Sequence, residues 1–433
     1  MEKYLNKKFA VLGLGIEGRD AIKFLLDSGA KVTLFDKKEE RDVDFDGVEK
    51  DKIKIVTGEN YLKGGLTNFD YIVRSTGIYR YIPEIIQAEK SGVKITSAIK
   101  IFFNECFAKT IGITGTKGKG TTSTLIYEIL KAGGEDVYLA GNIGKPYLEL
   151  LNLIKTTSYV VMEMSSFQLI DMDTSPHIAV VLNMTTDHLD WHKNREEYVN
   201  AKKNIVSHQR HGDFALLNLE YESSKEFAGV ATGKVDYFSK KLLEGKYKEK
   251  LLLRGEHNLE NIAAAVTAAK VVGIDEVIIL KTVKNFKGLE HRLELVEEVG
   301  GVTFYNDSFA TGPQSTIAAI KSFTEPETLI LGGSDKGLDY QELRDEIEKR
   351  ENVKNLILIG STGEKIGLGI KGKNIINLGK TSMIRIIEEA CKVTQKGGVV
   401  ILSPASASFD MFKNYKDRGN QFKKAIQDLK NEQ

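Results

Sequence analysis

Residues 112–122, GITGTKGKGTT, limit what this chain can fold into more than any other stretch. Four glycines, two lysines and four threonines fill ten of its eleven positions, so the segment packs poorly and makes a weak helix interior. A strand-like run, TIGIT, leads into it. TTSTLIYEILKAGG follows, with Leu125, Ile126, Ile129 and Leu130 on one helical face and glycines at its end. A glycine-rich turn between strand and helix points bare N–H groups at a helix N-terminus, where the dipole favours anions. The expectation is a phosphate-binding loop for ATP, formed by Gly115, Thr116, Lys117, Gly118, Lys119, Gly120, Thr121 and Thr122, with Lys119 reaching the terminal phosphates. The spacing is G-x-x-G-x-x-G-K, not G-x-x-x-x-G-K-[ST]. Gly120 takes the usual hydroxyl position, which leaves Thr121, then Thr122, as the magnesium ligand.

Strand-like runs alternate with helical patterns along almost the whole chain, the pattern of an α/β protein. KFAVLGLG, KVTLFD, FDYIVRSTG and VKITS make a first unit that ends near IFFNECFAKT. YVVMEMSS and HIAVVLNM belong to the second, which the helical HNLENIAAAVTAAKVVG closes. A third starts near residue 295 and contains TLILGG, NLILIGS and GGVVILSPASAS. At 433 residues the chain exceeds one core. Three domains are expected, over residues 1–105, 106–294 and 295–433. In the first, Gly13, Gly15 and Gly18 with Asp36 closing the next strand match the dinucleotide fingerprint G-x-G-x-x-G. Taken alone, that fingerprint also fits an NAD-dependent oxidoreductase, which leaves the ATP-type loop unexplained.

A net charge of +1 gives no global electrostatic case for nucleic acid or an acidic membrane surface. No segment approaches the roughly 18–20 apolar residues of a membrane span. The N-terminal lysines precede an apolar run too short for a signal peptide, which reads as a first strand. Two cysteines, Cys106 and Cys391, form neither a disulfide framework nor a zinc quartet and suit a cytoplasmic setting. Two later strands end in polar residues: Glu163 in VVMEMSSFQL, and Asp187 with His188 in VVLNMTTDHLDWH. Ligands of doubly wound sheets gather at such ends, and Glu163 is an oxygen ligand fit for magnesium. His188 and His192 stand at i, i+4, but without a cysteine partner or an HExxH pattern they make no zinc site.

GITGTKGKGTT, GNIGKP, EMSSFQL, TTDHLDWH, EYVNAKKNI, EHNLENIAAA, GLEHRLE, YNDSFAT, LGGSDKG and LSPASASFDMFKNYKDRGNQF occur in this order. The set resembles the Mur ligase family, most closely its D-glutamate-adding branch, over essentially the whole chain. The resemblance implies a Rossmann-like UDP-binding domain, a central P-loop ATPase-like parallel-sheet domain and a C-terminal Rossmann-like domain that binds the amino acid. It implies ATP, two magnesium ions, UDP-N-acetylmuramoyl-L-alanine and glutamate as ligands, and a monomer in the cytoplasm making peptidoglycan precursors. By similarity, Thr121 and Glu163 hold one magnesium. His188 and Lys202 hold the second, with Lys202 as a carbamate formed from CO2 and Lys203 as the neighbouring register. Asn258, Asn261, Arg292 and Asp307 match nucleotide contacts. Ile16, Glu17, Asp36, Lys37 and Ser75 match the uridine diphosphate pocket, and Asn142 and Ser165 the muramoyl-alanine arm. Thr311, Lys336, Ser408 and Tyr415 match the amino-acid site.

Three residues depart from the pattern. Glu17 stands where a hydroxyl is expected, and an anion beside a diphosphate is unfavourable unless it bonds elsewhere. Gly120 gives the loop a likeness to folylpolyglutamate synthases, which lack the N-terminal UDP-type unit. Phe309 stands where the branch usually has the lysine of DSKAT, which grips a carboxylate of the amino acid. With Phe309, both D-glutamate and L-glutamate or another amino acid stay open as the added residue.

Overall fold

The computed structural model describes residues 2–185, 188 and 190–432. Its first sheet holds β1 (Lys8–Leu12), β2 (Lys31–Asp36), β3 (Lys54–Thr57), β4 (Tyr71–Arg74) and β5 (Lys94–Thr96) in the order β3-β2-β1-β4-β5, all parallel. Phe9, Ala10, Val11 and Leu12 of β1 are all fully buried, as a central strand covered on both faces requires. Strand order reverses at β1, so the crevice beyond its carboxyl end is the place for a ligand.

The second sheet holds β6 (Lys109–Thr114), β7 (Val137–Gly141), β8 (Tyr159–Glu163), β9 (Ile178–Val181), β10 (Phe214–Asn218) and β11 (Lys234–Phe238). It is also wholly parallel, ordered β11-β10-β9-β6-β8-β7. The helix Lys119–Ala132 buries Leu125, Ile126, Ile129 and Leu130, the face its sequence predicts. The third sheet is mixed. β12 (Glu294–Val299) and β13 (Val302–Asn306) form an antiparallel hairpin through Gly300 and Gly301, both at positive φ. β14 (Glu327–Gly332), β15 (Val353–Ile359), β16 (Asn374–Gly379) and β17 (Val399–Leu402) complete the order β12-β13-β17-β14-β15-β16. The α/β class and the three nucleotide-fold sheets are therefore as expected. β3, β7, β10, β11 and β16 lie outside the runs singled out in the sequence. No helix among the described residues is long and apolar enough to cross a membrane.

The chain divides into two compact units: Met1–Leu243 with Glu260–Ile279, and Glu244–Leu259 with Leu280–Gln433. The first unit holds the first two sheets. One apolar core runs through it, from Phe9 and Leu25 to Phe102, Tyr147 and Met162. A buried polar cluster crosses the same ground. Arg74, at the end of β4, gives Nε to Asp171 Oδ2 (2.6 Å), Nη1 to Ile78 O (2.7 Å) and Nη2 to Phe167 O (2.5 Å). Asp171 also forms an ion pair with Arg80, whose Nε lies 2.7 Å from its Oδ1. From the helix Ile16–Asp27, Asp20 accepts the backbone N–H groups of Leu148 (2.8 Å) and Glu149 (3.1 Å).

Arg74 and Asp171 are both essentially excluded from water. Removing one partner of such a pair strands the other charge, at a cost of about 3–5 kcal/mol. Asp171 keeps Arg80, so Arg74→Ala is expected to cost less than a fully stranded charge and still lower the urea midpoint of this unit. Trp191, the only tryptophan, lies 5.8 Å from the Arg74 guanidinium, so its fluorescence reports the transition. A variant as stable as the parent contradicts this account of the seam.

Candidate active site

The loop after β6 has the backbone its glycines foreshadow. Gly115 and Gly118 sit at φ +156° and +88°, and Gly118 caps the helix Lys119–Ala132 without a side-chain bond. A Cβ on Gly118 would lie 2.2 Å from Asn261 Oδ1, and one on Gly115 2.7 Å from Leu182 Cβ. Both positions are closed to any other residue by contact as well as by dihedral. Asn183, just past β9, clips the loop: its Oδ1 accepts Lys117 N–H (2.9 Å) and its Nδ2 donates to Lys117 O (3.1 Å). Thr116 N–H donates to Asn183 O at 2.7 Å, and the Thr116 hydroxyl donates to Thr185 O at 3.0 Å.

Two ammonium groups meet on this loop. Lys119 Nζ donates to Gly115 O and Thr116 O, both at 3.1 Å. Lys202 is only 2% exposed, and its Nζ donates to the same Gly115 O (3.0 Å) and to Thr114 Oγ1 (3.1 Å). Like charges sharing one carbonyl repel, and an anion between them relieves the repulsion. Phosphate fits the Lys119 ammonium and the bare N–H groups of the loop at the helix N-terminus. The neighbouring Lys203 pairs with Glu226 at 3.5 Å, on the outside of the helix Arg195–Ser207. Of the two lysines, Lys202 is the one at the loop.

Glu163 ends β8, one strand over from β6, and its backbone is paired with Ile113. Thr121 is half-buried in the first helical turn, and Thr122 is buried with its hydroxyl on Asn261 Oδ1 at 3.3 Å. His188 is exposed, at φ +55°. Asp187 lies outside the described residues. His192 is enclosed: its Nδ1 meets Glu197 Oε2 (3.3 Å), its Nε2 meets Ser166 Oγ (2.9 Å), and burial lowers its pKa. The order Ser–His–carboxylate is that of a nucleophilic triad. Ser166 and His192 are buried, however, so this chain of bonds fastens the segment and presents no nucleophile. Among the described residues no group of three or more His, Cys, Asp or Glu is arranged to hold a metal.

At the first sheet, Gly13 has φ +85°, and a Cβ on Gly18 would fall 2.1 Å from Gly13 O, so helix and loop touch there. Asp36 braces the same loop, accepting Leu14 N–H and Lys38 N–H at 2.9 Å each. Ser75 Oγ donates to Gly13 O at 3.0 Å, while Ile16 and Lys37 are exposed. Glu17 is committed elsewhere: Gln168 Nε2 donates to its Oε1 at 2.6 Å, and burial raises its pKa. Gln168 Oε1 accepts the N–H (2.9 Å) and hydroxyl (3.0 Å) of Ser165. Its Nε2 also reaches Tyr147 OH (3.1 Å), which donates to Glu163 O (3.4 Å). Glu17 is thus joined through one amide to Ser165 and to the end of β8. Asn142 is exposed in the turn after β7. Sequence reasoning missed Asn183, Tyr147 and Gln168, whose bonds run to residues distant in the chain.

In the second compact unit β13, β17 and β14 are adjacent, and the remaining candidates follow their carboxyl ends. Phe309 and Thr311 come after β13, Ser408 after β17 and Lys336 after β14, while Tyr415 opens the helix Tyr415–Glu432. Lys336 is exposed and Ser408 buried. Asp307 is buried, accepts Ser403 Oγ (2.7 Å) and Leu293 N–H (3.1 Å), and has its pKa pushed by burial to about 7. Arg418, fully buried, ties two loops together. It donates to Ser308 Oγ (3.0 Å), Ser308 O (2.8 Å), Ser406 O (3.1 Å) and Ala407 O (3.3 Å). Asn258 Nδ2 donates to Arg254 O at 2.6 Å, and the Arg292 guanidinium lies over the Phe309 ring.

Steric closure of the loop is directly testable. Gly118→Ala is expected to lower the thermal midpoint, and to do so less in an Asn261→Ala background, where only the left-handed dihedral is left to penalise it. Coupling of about 0.5–3 kcal/mol is the range for touching residues. Additive effects contradict the contact.

Three domain families match the chain: the Mur ligase MurD-like N-terminal domain over residues 7–97, the Mur ligase middle domain over 113–241 and the Mur ligase glutamate ligase domain over 291–406. A UDP-N-acetylmuramoylalanine–D-glutamate ligase from Acetivibrio thermocellus is 43% identical, covering 99% of this chain and 98% of that protein. One of the same name from Clostridium kluyveri is 40% identical over 98% of this chain and 97% of its own. Among solved structures, the MurF ligase of Thermotoga maritima in complex with ADP superposes with a TM-score of 0.59 at 18% identity, covering 99% of this chain and 97% of that one. UDP-N-acetylmuramate-alanine ligase MurC of the same organism gives 0.57 at 18%, over 98% and 100%. At such identity these two structures speak for the fold alone, whereas the domain matches and the full-length relatives settle the family: the chain belongs to the Mur ligases.

Proposed function

We propose that the chain is an ATP-dependent ligase that adds D-glutamate to UDP-N-acetylmuramoyl-L-alanine through an acyl phosphate, in peptidoglycan precursor synthesis. The observation that carries the reading is the Lys119 ammonium on Gly115 O, at the carboxyl end of β6 and beside Glu163, with the buried Lys202 side chain on the same carbonyl. The terminal phosphoryl group of ATP passes to the acceptor's carboxylate, the amine of glutamate attacks the acyl carbon, and phosphate leaves. This chemistry needs charge neutralisation and alignment more than a protein nucleophile. Lys119 and the uncapped amides of the loop take the phosphate charge. Asn258, Asn261, Arg292 and Asp307 serve the nucleotide side, the last by holding its neighbours. Ile16, Asp36, Lys37 and Ser75 serve the uridine diphosphate. Glu17 acts through Gln168, and Asn142 and Ser165 face the muramoyl-alanine arm. Thr311, Lys336, Ser408 and Tyr415 take the amino acid.

Magnesium, as two ions, supplies further screening of phosphate charge when bound, with Thr121, Glu163, His188 and Lys202 as the residues to hold it. Lys202 fits that set as a carbamate. The ammonium first gives up a proton; addition of CO2 to the free amine, with loss of a second proton, then replaces a cation beside Lys119 by an anion and turns repulsion into attraction. The domain limits 1–105, 106–294 and 295–433 belong to the same reading, as do a monomeric state and a cytoplasmic location.

Phosphate release from ATP, with the acceptor and each glutamate enantiomer in turn, decides the substrate: D-glutamate is expected to be preferred, and a clear preference for L-glutamate overturns the choice. Lys119→Ala is expected to remove turnover by orders of magnitude with the fold intact; near-normal release contradicts the ATP site. Lys202→Ala is expected to lose activity and regain part of it in acetate, whereas Lys203→Ala stays near the parent. Rescue of Lys203→Ala instead moves the carbamate by one residue.

A further inference from the structure

Position 309 has no charge of its own, yet a cation occupies the space over it. The Arg292 guanidinium carbon sits 4.0 Å from the Phe309 ring centroid. The ring is fixed by Tyr415, whose ring meets it edge-on at 4.9 Å and 85°. Backbone ties the same two segments, since Phe309 N–H donates to His291 O at 2.9 Å. Arg292 is exposed and, among the described residues, makes no ion pair. The nearby Asp307 carboxylate is already engaged by Ser403 and Leu293. Phe309 is itself 39% exposed, at the carboxyl end of β13 beside the loops that carry Thr311 and Ser408.

A guanidinium held by its face keeps its N–H edge open, and that edge matches a carboxylate or a phosphate. The stack also removes side-chain freedom before any ligand arrives, so less is lost on binding. Building on the ligase reading, we propose that Phe309 is a positioning residue. It holds the Arg292 guanidinium for an oxyanion of the reaction, and so supplies by stacking the cation that its own side chain lacks. The oxyanion is a carboxylate of the incoming glutamate or a phosphate of the nucleotide, and the two are separable by which KM moves.

The test uses the full chain, with phosphate release measured against D-glutamate and against ATP in the presence of the acceptor. Phe309→Tyr and Phe309→Trp keep a ring for the guanidinium and are expected to stay near the parent. Phe309→Leu keeps apolar bulk but not the ring. It is expected to raise one KM about two- to fivefold, the scale of an exposed cation–aromatic contact, with kcat little changed. Arg292→Ala is expected to raise the same KM about ten- to hundredfold. In that background Phe309→Leu should add nothing, and Phe309→Lys should recover part of the loss. A shift in the KM for glutamate assigns the carboxylate, and a shift in that for ATP the phosphate. Equal effects of Phe309→Leu with and without Arg292, or equal tolerance of leucine and tyrosine, overturn the proposal while leaving the ligase reading in place. Wild-type protein that releases no phosphate with either glutamate overturns both.

Discussion

A guanidinium in a protein interior needs acceptors for its donors, and Arg74 sets the terms for the whole first unit. Its acceptors come from Asp171, from Phe167 and from the turn after β4. The end of a strand in the first sheet is thereby fixed to the segment that follows β8 in the second. That segment contains Ser165, Ser166 and Gln168, so this buried cation sets the distance over which Glu17 and Gln168 can meet. A surface pair would contribute little here. A buried one must be satisfied or the seam opens.

On this frame, the chemistry follows from strand direction. Parallel strands bring Gly115, Glu163 and the segment after β9 to one edge, where the loop's glycines allow backbone to approach a ligand closely. Two lysines then share Gly115 O. The first sheet repeats the close approach with Gly13 and Gly18, in a loop that Asp36 braces.

The fold was legible because its central strands are continuous apolar runs and its helices have a clear face, as at Leu125 to Leu130. Edge strands were harder. β11 and β16 are largely exposed, so their residues carry no strong alternation, whereas the interior β10, FALLN, was passed over although it is buried. At the site, the phosphate loop was legible from glycine spacing. Lys202 was also within reach, since it falls on the buried stripe of Tyr198, Ala201 and Ile205 that Lys203 leaves. Asn183, Gln168 and Tyr147 gave no such signal, because each acts on a residue brought near only by the fold. Glu17 looked misplaced beside a diphosphate for the same reason: its partner is 151 positions away.

The hairpin that opens the third sheet has a consequence of its own. β12 reads ELVEEV, its pairing slips between Leu295 and Glu297, and Lys430 reaches Glu297 at 2.7 Å. It is the outermost strand on that side. Outermost strands expose unpaired N–H and C=O groups that can recruit another chain, and acidic side chains with an irregular backbone spoil that template. The one antiparallel strand of the sheet therefore also works as a guard against aggregation, placed where a further parallel strand would have left a flat ladder open.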